Sequence, residues 1–214
     1  MKNIISNGLF AGLLIATPAV LAQNWEVGGM AGGGFTNSLT ASTALASANT
    51  GFANGPVVGA VLGQTLSPRV SGQLRYTIDF SSLRVSDANQ SATFKGQTHS
   101  IDYNILVSVR SREARLRPFI SAGGGMRDFR GVGSQSPYQP LGDIVLLTKT
   151  SQWKPALTFG AGIRCAISAR VSLQLEVRDY FTQFPTQVIA PAPGARLSGW
   201  LHDLVPMAGL MFVF

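Results

Sequence analysis

The C-terminal stretch, His202–Phe214, restricts the possible folds more than any other part of the sequence. Every second residue from Leu204 to Phe214 is apolar or proline, which places these side chains on one face of a β-strand. No charged residue follows Asp203, so both faces stay uncharged up to Phe214. Such a strand needs an apolar environment on its outer side and a hydrogen-bonding partner along each edge. A β-barrel that closes within a membrane provides both.

Eight segments of the sequence have the alternation of β-strands. The clearest is Val70–Ser81, in which apolar residues or glycine alternate with polar residues along the whole segment. In Gly55–Leu66 the alternation is too weak to assign the two faces. The eight segments are Asn24–Thr36, Gly55–Leu66, Val70–Ser81, Thr98–Arg110, Arg115–Phe129, Trp153–Ile167, Val171–Phe181 and His202–Phe214. The sequence therefore predicts an all-β fold, an eight-stranded antiparallel transmembrane up-and-down β-barrel.

The connections between these segments alternate in length. Short turns lie at Ser67–Arg69, Ser111–Ala114 and Ser168–Arg170, whereas the other connections are long. The composition of Asn37–Asn54 predicts a flexible loop, and Ser82–Gln97 reads as a polar loop. The third long loop, Arg130–Gln152, has room for a small hairpin at Asp143–Thr150, and the proline-rich loop Thr182–Leu201 is expected to be stiffer. Both ends of the barrel chain are expected at the short-turn end.

The N-terminal residues predict export. Lys2 is followed by the short apolar run Gly8–Ala16, by Pro18, and by the small-residue cleavage site Val20–Ala22. This pattern is typical of a secretory signal peptide, and the run is too short to cross a bilayer as a helix; an uncleaved anchor is the alternative. We therefore expect a signal peptide at residues 1–22 and a single barrel domain at residues 23–214.

Composition argues against several classes of function. The chain has 17 Lys and Arg residues against 10 Asp and Glu, but the basic residues form no cluster, so we expect no nucleic-acid partner. The only cysteine, Cys165, allows no internal disulfide and shares the alternation of apolar neighbours.

The signal peptide, strand number, loop order and terminal aromatic residue together resemble the small outer-membrane β-barrel proteins of the OmpA/OmpX type. The resemblance implies a porin-like barrel in the outer membrane of a Gram-negative bacterium. It rests on these architectural features and not on a catalytic motif. It also implies that Leu210, Phe212 and Phe214 form the signal read by the barrel assembly machinery. The other expected partners are outer-membrane lipid and lipopolysaccharide, and the expected state is a monomer. A soluble barrel of the lipocalin type would show the same alternation with its faces reversed.

With the aliphatic face toward lipid, a set of charged residues points into the barrel. Because unpaired charges are costly in a narrow interior of low dielectric constant, we expect a network of ion pairs there, with Glu176 bound to Arg75, Arg164 or Arg178. A conducting or proton-relaying interior is the alternative. The predicted lumen residues are Glu26, Arg75, Asp79, Asp102, Arg110, Arg117, Arg127, Arg164, Glu176 and Arg178.

A second polar group is predicted at the long-loop rim, where the fifth, seventh and eighth strands begin or end. Its members are Arg127, Asp128, Asp179, His202 and Asp203. Histidine beside aspartate can support acid–base chemistry or bind a metal, but no serine or cysteine nucleophile lies at a telling spacing. We therefore expect residues that tie the loops to the barrel, with no catalytic site, no metal site and no cofactor.

One segment is repeated at an offset of 101 residues. Ser67–Phe80 and Ser168–Phe181 are identical at seven of fourteen positions. Duplication of a strand hairpin explains the match, and convergence on a favourable turn explains it equally well.

The sequence thus favours a non-enzymatic barrel with a structural or surface-interaction role carried by its long loops. A small channel and, less favoured, a lipid-modifying barrel enzyme are the alternatives.

Overall fold

The computed structural model describes residues 25–44, 46–134 and 138–214. The predicted signal peptide lies outside the described residues and stays a prediction. Along the described chain, no helix is long and apolar enough to cross a membrane.

Eight of the strands form a closed antiparallel barrel, which confirms the predicted fold class. Around the barrel the order is β1, β14, β12, β11, β9, β8, β5 and β4, and β4 pairs with β1 to close it. The barrel strands are β1 (Trp25–Thr36), β4 (Gly55–Thr65), β5 (Val70–Asp79), β8 (Gly96–Ser108), β9 (Leu116–Gly131), β11 (Ser151–Ala166), β12 (Val171–Gln183) and β14 (Trp200–Val213).

The outer face of the barrel is apolar and the inner face carries the charges. On β12, Leu175 and Val177 are exposed while Gln174, Glu176 and Arg178 are buried. The same division resolves the strand that the sequence left unassigned: on β4, Val58 and Leu62 face outward and Val57 and Val61 face the lumen. A lipocalin-type barrel would have the opposite faces, so the membrane form is the correct alternative.

Glycine permits the close approach of strands β8 and β9 in the barrel wall. A Cβ on Gly123 would lie 2.1 Å from the carbonyl oxygen of Tyr103, and one on Gly125 would lie 2.0 Å from that of Ile101. These glycines of β9 therefore allow β8 to pack closely beside it.

The described residues of the long loops contain six further strands, so the prediction of a flexible loop over Asn37–Asn54 was wrong. Hairpins β2–β3 and β6–β7 form one four-stranded sheet, in which β3 pairs with β6, and β10 pairs with β13. Their bounds are β2 (Leu39–Ser42), β3 (Ser47–Phe52), β6 (Leu83–Ser86), β7 (Ser91–Phe94), β10 (Val145–Leu147) and β13 (Ile189–Pro191). The hairpin expected at Asp143–Thr150 is thus a single strand, β10, whose partner comes from the proline-rich loop.

A shared apolar core joins these loop strands, and we call the assembly the loop cap. It brings together Leu83 and Val85 of the four-stranded sheet, Val145 of β10, and Phe129 at the end of a barrel strand. The rings of Phe52 and Phe129 are 5.2 Å apart between centroids, which fixes the cap to β9. Because apolar burial drives this packing, the loops form an ordered layer at the long-loop end of the barrel.

Candidate functional site

The middle of the lumen is occupied by an ion-pair cluster around Glu176. Both guanidinium nitrogens Nη1 and Nη2 of Arg75 donate to its carboxylate, the second at 3.1 Å to Oε2. Nε of Arg178 donates to Oε1 at 3.2 Å, and Nε2 of Gln174 donates to Oε2 at 2.6 Å. Of the candidate partners, Arg75 and Arg178 lie beside Glu176, whereas Arg164 is paired elsewhere.

Toward the short turns, Glu26 and Arg164 form a second ion pair, which is bidentate. Arg164 donates from Nη2 to Oε1 of Glu26 at 2.7 Å and from Nη1 to Oε2 at 3.1 Å. Nε of Arg164 donates to Oε1 of Gln174 at 2.8 Å, and Gln73 donates to Glu26 at 3.0 Å. The two glutamines therefore connect this pair with the Glu176 cluster.

Toward the long loops, the network continues through Asp102 and Tyr180. Arg178 donates to Oδ1 of Asp102 at 3.3 Å, and the Tyr180 hydroxyl donates to Oδ2 at 3.3 Å. The guanidinium carbon of Arg127 lies 4.7 Å from the centre of the Tyr180 ring, a favourable cation–π geometry. Nη2 of Arg127 donates to Asp203 at 2.5 Å.

The lumen is consequently filled by side chains from one end to the other. Almost no surface is exposed on Arg75, Arg178 or Gln174. Eight strands leave an interior about wide enough for side chains alone, and Asp203 and Arg127 are buried near the long-loop end. The arrangement links strands on opposite sides of the barrel wall.

The predicted rim residues divide between the two faces of the barrel. Arg127 and Asp203 lie inside, whereas Nδ1 of His202 and Oδ2 of Asp179 meet on the outer surface at 2.9 Å. The ring of Phe181 stacks on Trp200 with centroids 4.6 Å apart and meets the His202 ring edge-on at 4.6 Å. This outer group is an aromatic and polar contact of neighbouring strands, placed where amphipathic rings usually meet a membrane interface.

The remaining predicted site residues have separate positions. Asp128 is buried and pairs with Arg130, and Asp79 is buried and accepts a hydrogen bond from Ser81. Arg117 is half-buried near the short turns and forms no ion pair within the described residues. Arg110 is exposed in the turn after β8, so its expected place in the lumen was wrong; β8 ends at Ser108, before the alternation reaches it.

The proposed assembly residues lie on the lipid-facing side of β14. Leu210 and Phe212 are exposed there, and Phe214 follows with 74% of its surface exposed. The backbone NH of Phe214 donates to the Trp25 carbonyl at 3.0 Å, so the chain end is joined to the first strand.

Sequence reasoning missed a polar cleft on the loop cap. It has a volume of about 500 Å³ and is lined by amide, hydroxyl and guanidinium groups, among them those of Asn49, Asn54, Arg84 and Ser86. Asn49 pairs with Ser86 and Gly51 with Arg84 across β3 and β6, which puts these residues on the sheet face opposite the apolar core. Gly51 also lines the cleft, and a Cβ there would lie 3.3 Å from the carbonyl oxygen of Asn37. Only the alternation within 47–52 could have indicated it.

In the described ranges, no group of three or more His, Cys, Asp or Glu residues is arranged to hold a metal ion.

Comparison with solved structures identifies the architecture. The chain superposes on Neisserial surface protein A with a TM-score of 0.57 and 14% identity, covering 89% of this chain and 97% of that one. It superposes on the outer-membrane protein OprG of Pseudomonas aeruginosa with a TM-score of 0.63 and 10% identity, covering 90% and 96%. The fold is that of a small outer-membrane β-barrel. No protein-family model and no curated protein matches the chain, so the comparison defines the fold alone.

Proposed function

We propose that the protein is a non-enzymatic outer-membrane barrel that displays its loop cap at the cell surface and binds a polar partner there. The observation that carries the proposal is the loop cap itself. Its strands share an apolar core with the end of a barrel strand, so its surface is ordered before any partner arrives. A preorganised surface binds without the entropic cost of ordering loops.

The chemistry of the cleft indicates the class of partner. Small-molecule pockets of this size are usually mostly apolar, whereas this one presents the amides of Asn49 and Asn54 and the guanidinium of Arg84. Such groups match a hydroxyl-rich ligand, and we propose an oligosaccharide of the envelope or of another cell.

Binding of cells to an array of oligosaccharides tests the proposal. Cells that display the wild-type protein should bind at least one glycan class, and Asn49→Ala or Arg84→Gln should remove most of that binding. Lys95→Gln changes an exposed basic residue of the same loop that does not line the cleft, and it should bind as the wild type does. If all variants bind equally, or if the wild type binds no glycan, the assignment to this cleft fails.

The membrane partners are also part of the proposal. Exposed aromatic side chains on the outer face, including Trp153, Phe159 and Trp200, suit contact with outer-membrane lipid and lipopolysaccharide. We also propose that the assembly machinery inserts the barrel by recognising Leu210, Phe212 and Phe214, and that the protein is a monomer.

A small channel is the second candidate, and one observation favours it. Nε of Arg75 and Nη2 of Arg178 are buried in the lumen without a protein partner, as expected where water reaches polar atoms. Planar-bilayer recordings distinguish the two functions: we expect no steady conductance, and a reproducible conductance that rises in Glu176→Gln would replace the first proposal by the second.

A further inference from the structure

The short-turn end of the barrel carries an excess of positive charge. Among the side chains of the described residues, two carboxylates, Glu26 and Glu113, lie at this end of the barrel. The arginines placed there by the turns and adjoining strand ends are Arg69, Arg110, Arg112, Arg115, Arg117, Arg164 and Arg170. This excess adjoins the lumen network through the Arg164–Glu26 ion pair, the only part of it that is paired with a carboxylate among the described residues.

Four of these arginines converge on one small cleft. Arg69, Arg112, Arg117 and Arg164 line it together with hydroxyl residues such as Ser71 and Ser108. Arg117 and Arg164 stand directly opposite each other in the pairing of β9 with β11. Like charges in opposing positions of an antiparallel pair repel, so this arrangement costs stability unless an anion lies between them.

The nearby carboxylates attract Arg117 through space but do not bind it directly. Both oxygens of Glu26 are already bonded to Arg164, and one of them also accepts from Gln73. Glu113 is fully exposed in the turn, where a hydrogen bond from the Ser111 side chain lowers the pKa of its carboxyl. Neither carboxylate forms an ion pair with Arg117 or Arg112.

Arg164 uses its donors on Glu26 and Gln174, but two other arginines of the cleft keep donors available. Nε of Arg117 is buried and has no hydrogen-bond partner, and Nη1 of Arg112 has only a long contact of 3.5 Å to the Thr65 hydroxyl. Planar guanidiniums that converge in this way are suited to the tetrahedral oxygens of phosphate or sulfate.

We propose that this cleft, the short-turn arginine site, binds an oxyanion of the phosphate or sulfate class. The cavity is about 20 Å³, which accommodates about one oxygen atom. One oxygen of the anion therefore enters between Arg112 and Arg117, and the remainder of the group faces outward. A phospholipid headgroup and a free phosphate ion both present this chemistry.

Thermal unfolding of the mature protein in uncharged detergent tests the site. Sodium phosphate should raise the midpoint Tm saturably, beyond the effect of sodium chloride at equal ionic strength. The rise should be lost in Arg117→Gln and reduced in Arg112→Gln. Arg115→Gln removes the same charge from the exposed turn outside the cleft and should keep the full rise.

Measuring the stability of Arg117→Gln without phosphate distinguishes loss of the site from loss of folding. Without oxyanion, Arg117→Gln should be at least as stable as the wild type, because it removes the repulsion with Arg164. Two results would contradict a site for free phosphate: an equal phosphate-dependent rise of Tm in Arg117→Gln and Arg115→Gln, or no rise of Tm beyond that given by chloride. The site would then stand only if the wild type retains more lipid than Arg117→Gln.

Native mass spectrometry of protein taken from phosphatidylglycerol vesicles separates the two sources. Retention of one more lipid by the wild type than by Arg117→Gln identifies a headgroup, whereas a phosphate effect without retained lipid identifies a free anion. If neither occurs, the proposal is wrong. Its failure would leave the proposed surface role untouched, since the loop cap lies at the other end of the barrel.

Discussion

Arg75 and Glu176, which occupy equivalent positions in the two copies of the repeated segment, bind each other across the barrel lumen. Their strands, β5 and β12, lie four strands apart in either direction around the barrel. Gln73 and Gln174, also equivalent, meet at 3.4 Å. The repeat thus places a cation and an anion at matching heights on opposite walls, an arrangement that both hairpin duplication and convergence can produce.

The first prediction concerns this pair. Glu176→Gln should lower the free energy of unfolding by about 3–5 kcal/mol, because it leaves buried guanidiniums uncompensated. Adding Arg75→Met should recover part of the loss, since Arg178 keeps Asp102 as a partner. Urea unfolding of the single and double variants in lipid vesicles measures the coupling. Glu113→Gln, in an exposed turn, is the control; additive effects of the two lumen changes would show that no network exists.

The second prediction concerns the lipid-facing side of β12. Leu175 is 42% exposed on the outer face, whereas Gln174 is fully buried. Leu175→Arg should therefore destabilise the barrel by about 2–4 kcal/mol if the position is near mid-bilayer. Oxygen dissolved in lipid should increase the relaxation rate of a spin label at Leu175 but not that of one at Gln174. The reverse pattern would contradict the assignment of faces.

The third prediction concerns assembly. Deletion of Phe214, or Phe214→Ser, should slow appearance of the folded, heat-modifiable form in the outer membrane, because it removes the terminal aromatic residue of the proposed signal. Phe159→Ser is the matched control, since Phe159 is another exposed outward aromatic residue away from the chain end. Equal insertion rates for the two variants would exclude a special role of Phe214.

The fourth prediction concerns the loop cap. Phe129→Ala should cost about 3–5 kcal/mol of local stability, because its ring packs in the cap core against Phe52. Trypsin should then cut faster after Arg84 and Lys95 while the barrel strands stay protected. Ile120→Ala, on the lipid-facing side of the same strand, serves as control. Unchanged cleavage in Phe129→Ala would mean that the cap does not depend on this core.

The barrel strands were predictable because their period of two extends over many residues, as in Val70–Ser81, and is read directly from the sequence. The placement of Val57 and Val61 was not, because glycines and apolar residues occupy both faces of β4. The pairing of Glu176 with Arg75 and not Arg164 depends on strand stagger, which alternation does not encode. The loop cap was missed for a similar reason: its strands are short, and β3 and β10 find partners in other loops.

The way in which the loop cap is joined has a consequence for the order of events at the membrane. Val145 of β10 pairs with Pro191 of β13, and the loops that carry these strands are separated by two whole barrel strands. The cap therefore has a high contact order and can close only when the last long loop has reached the same end of the barrel as the other long loops. A partner that recognises the closed cap would bind only completed barrels. The closed cap therefore distinguishes fully assembled barrels from partly assembled ones.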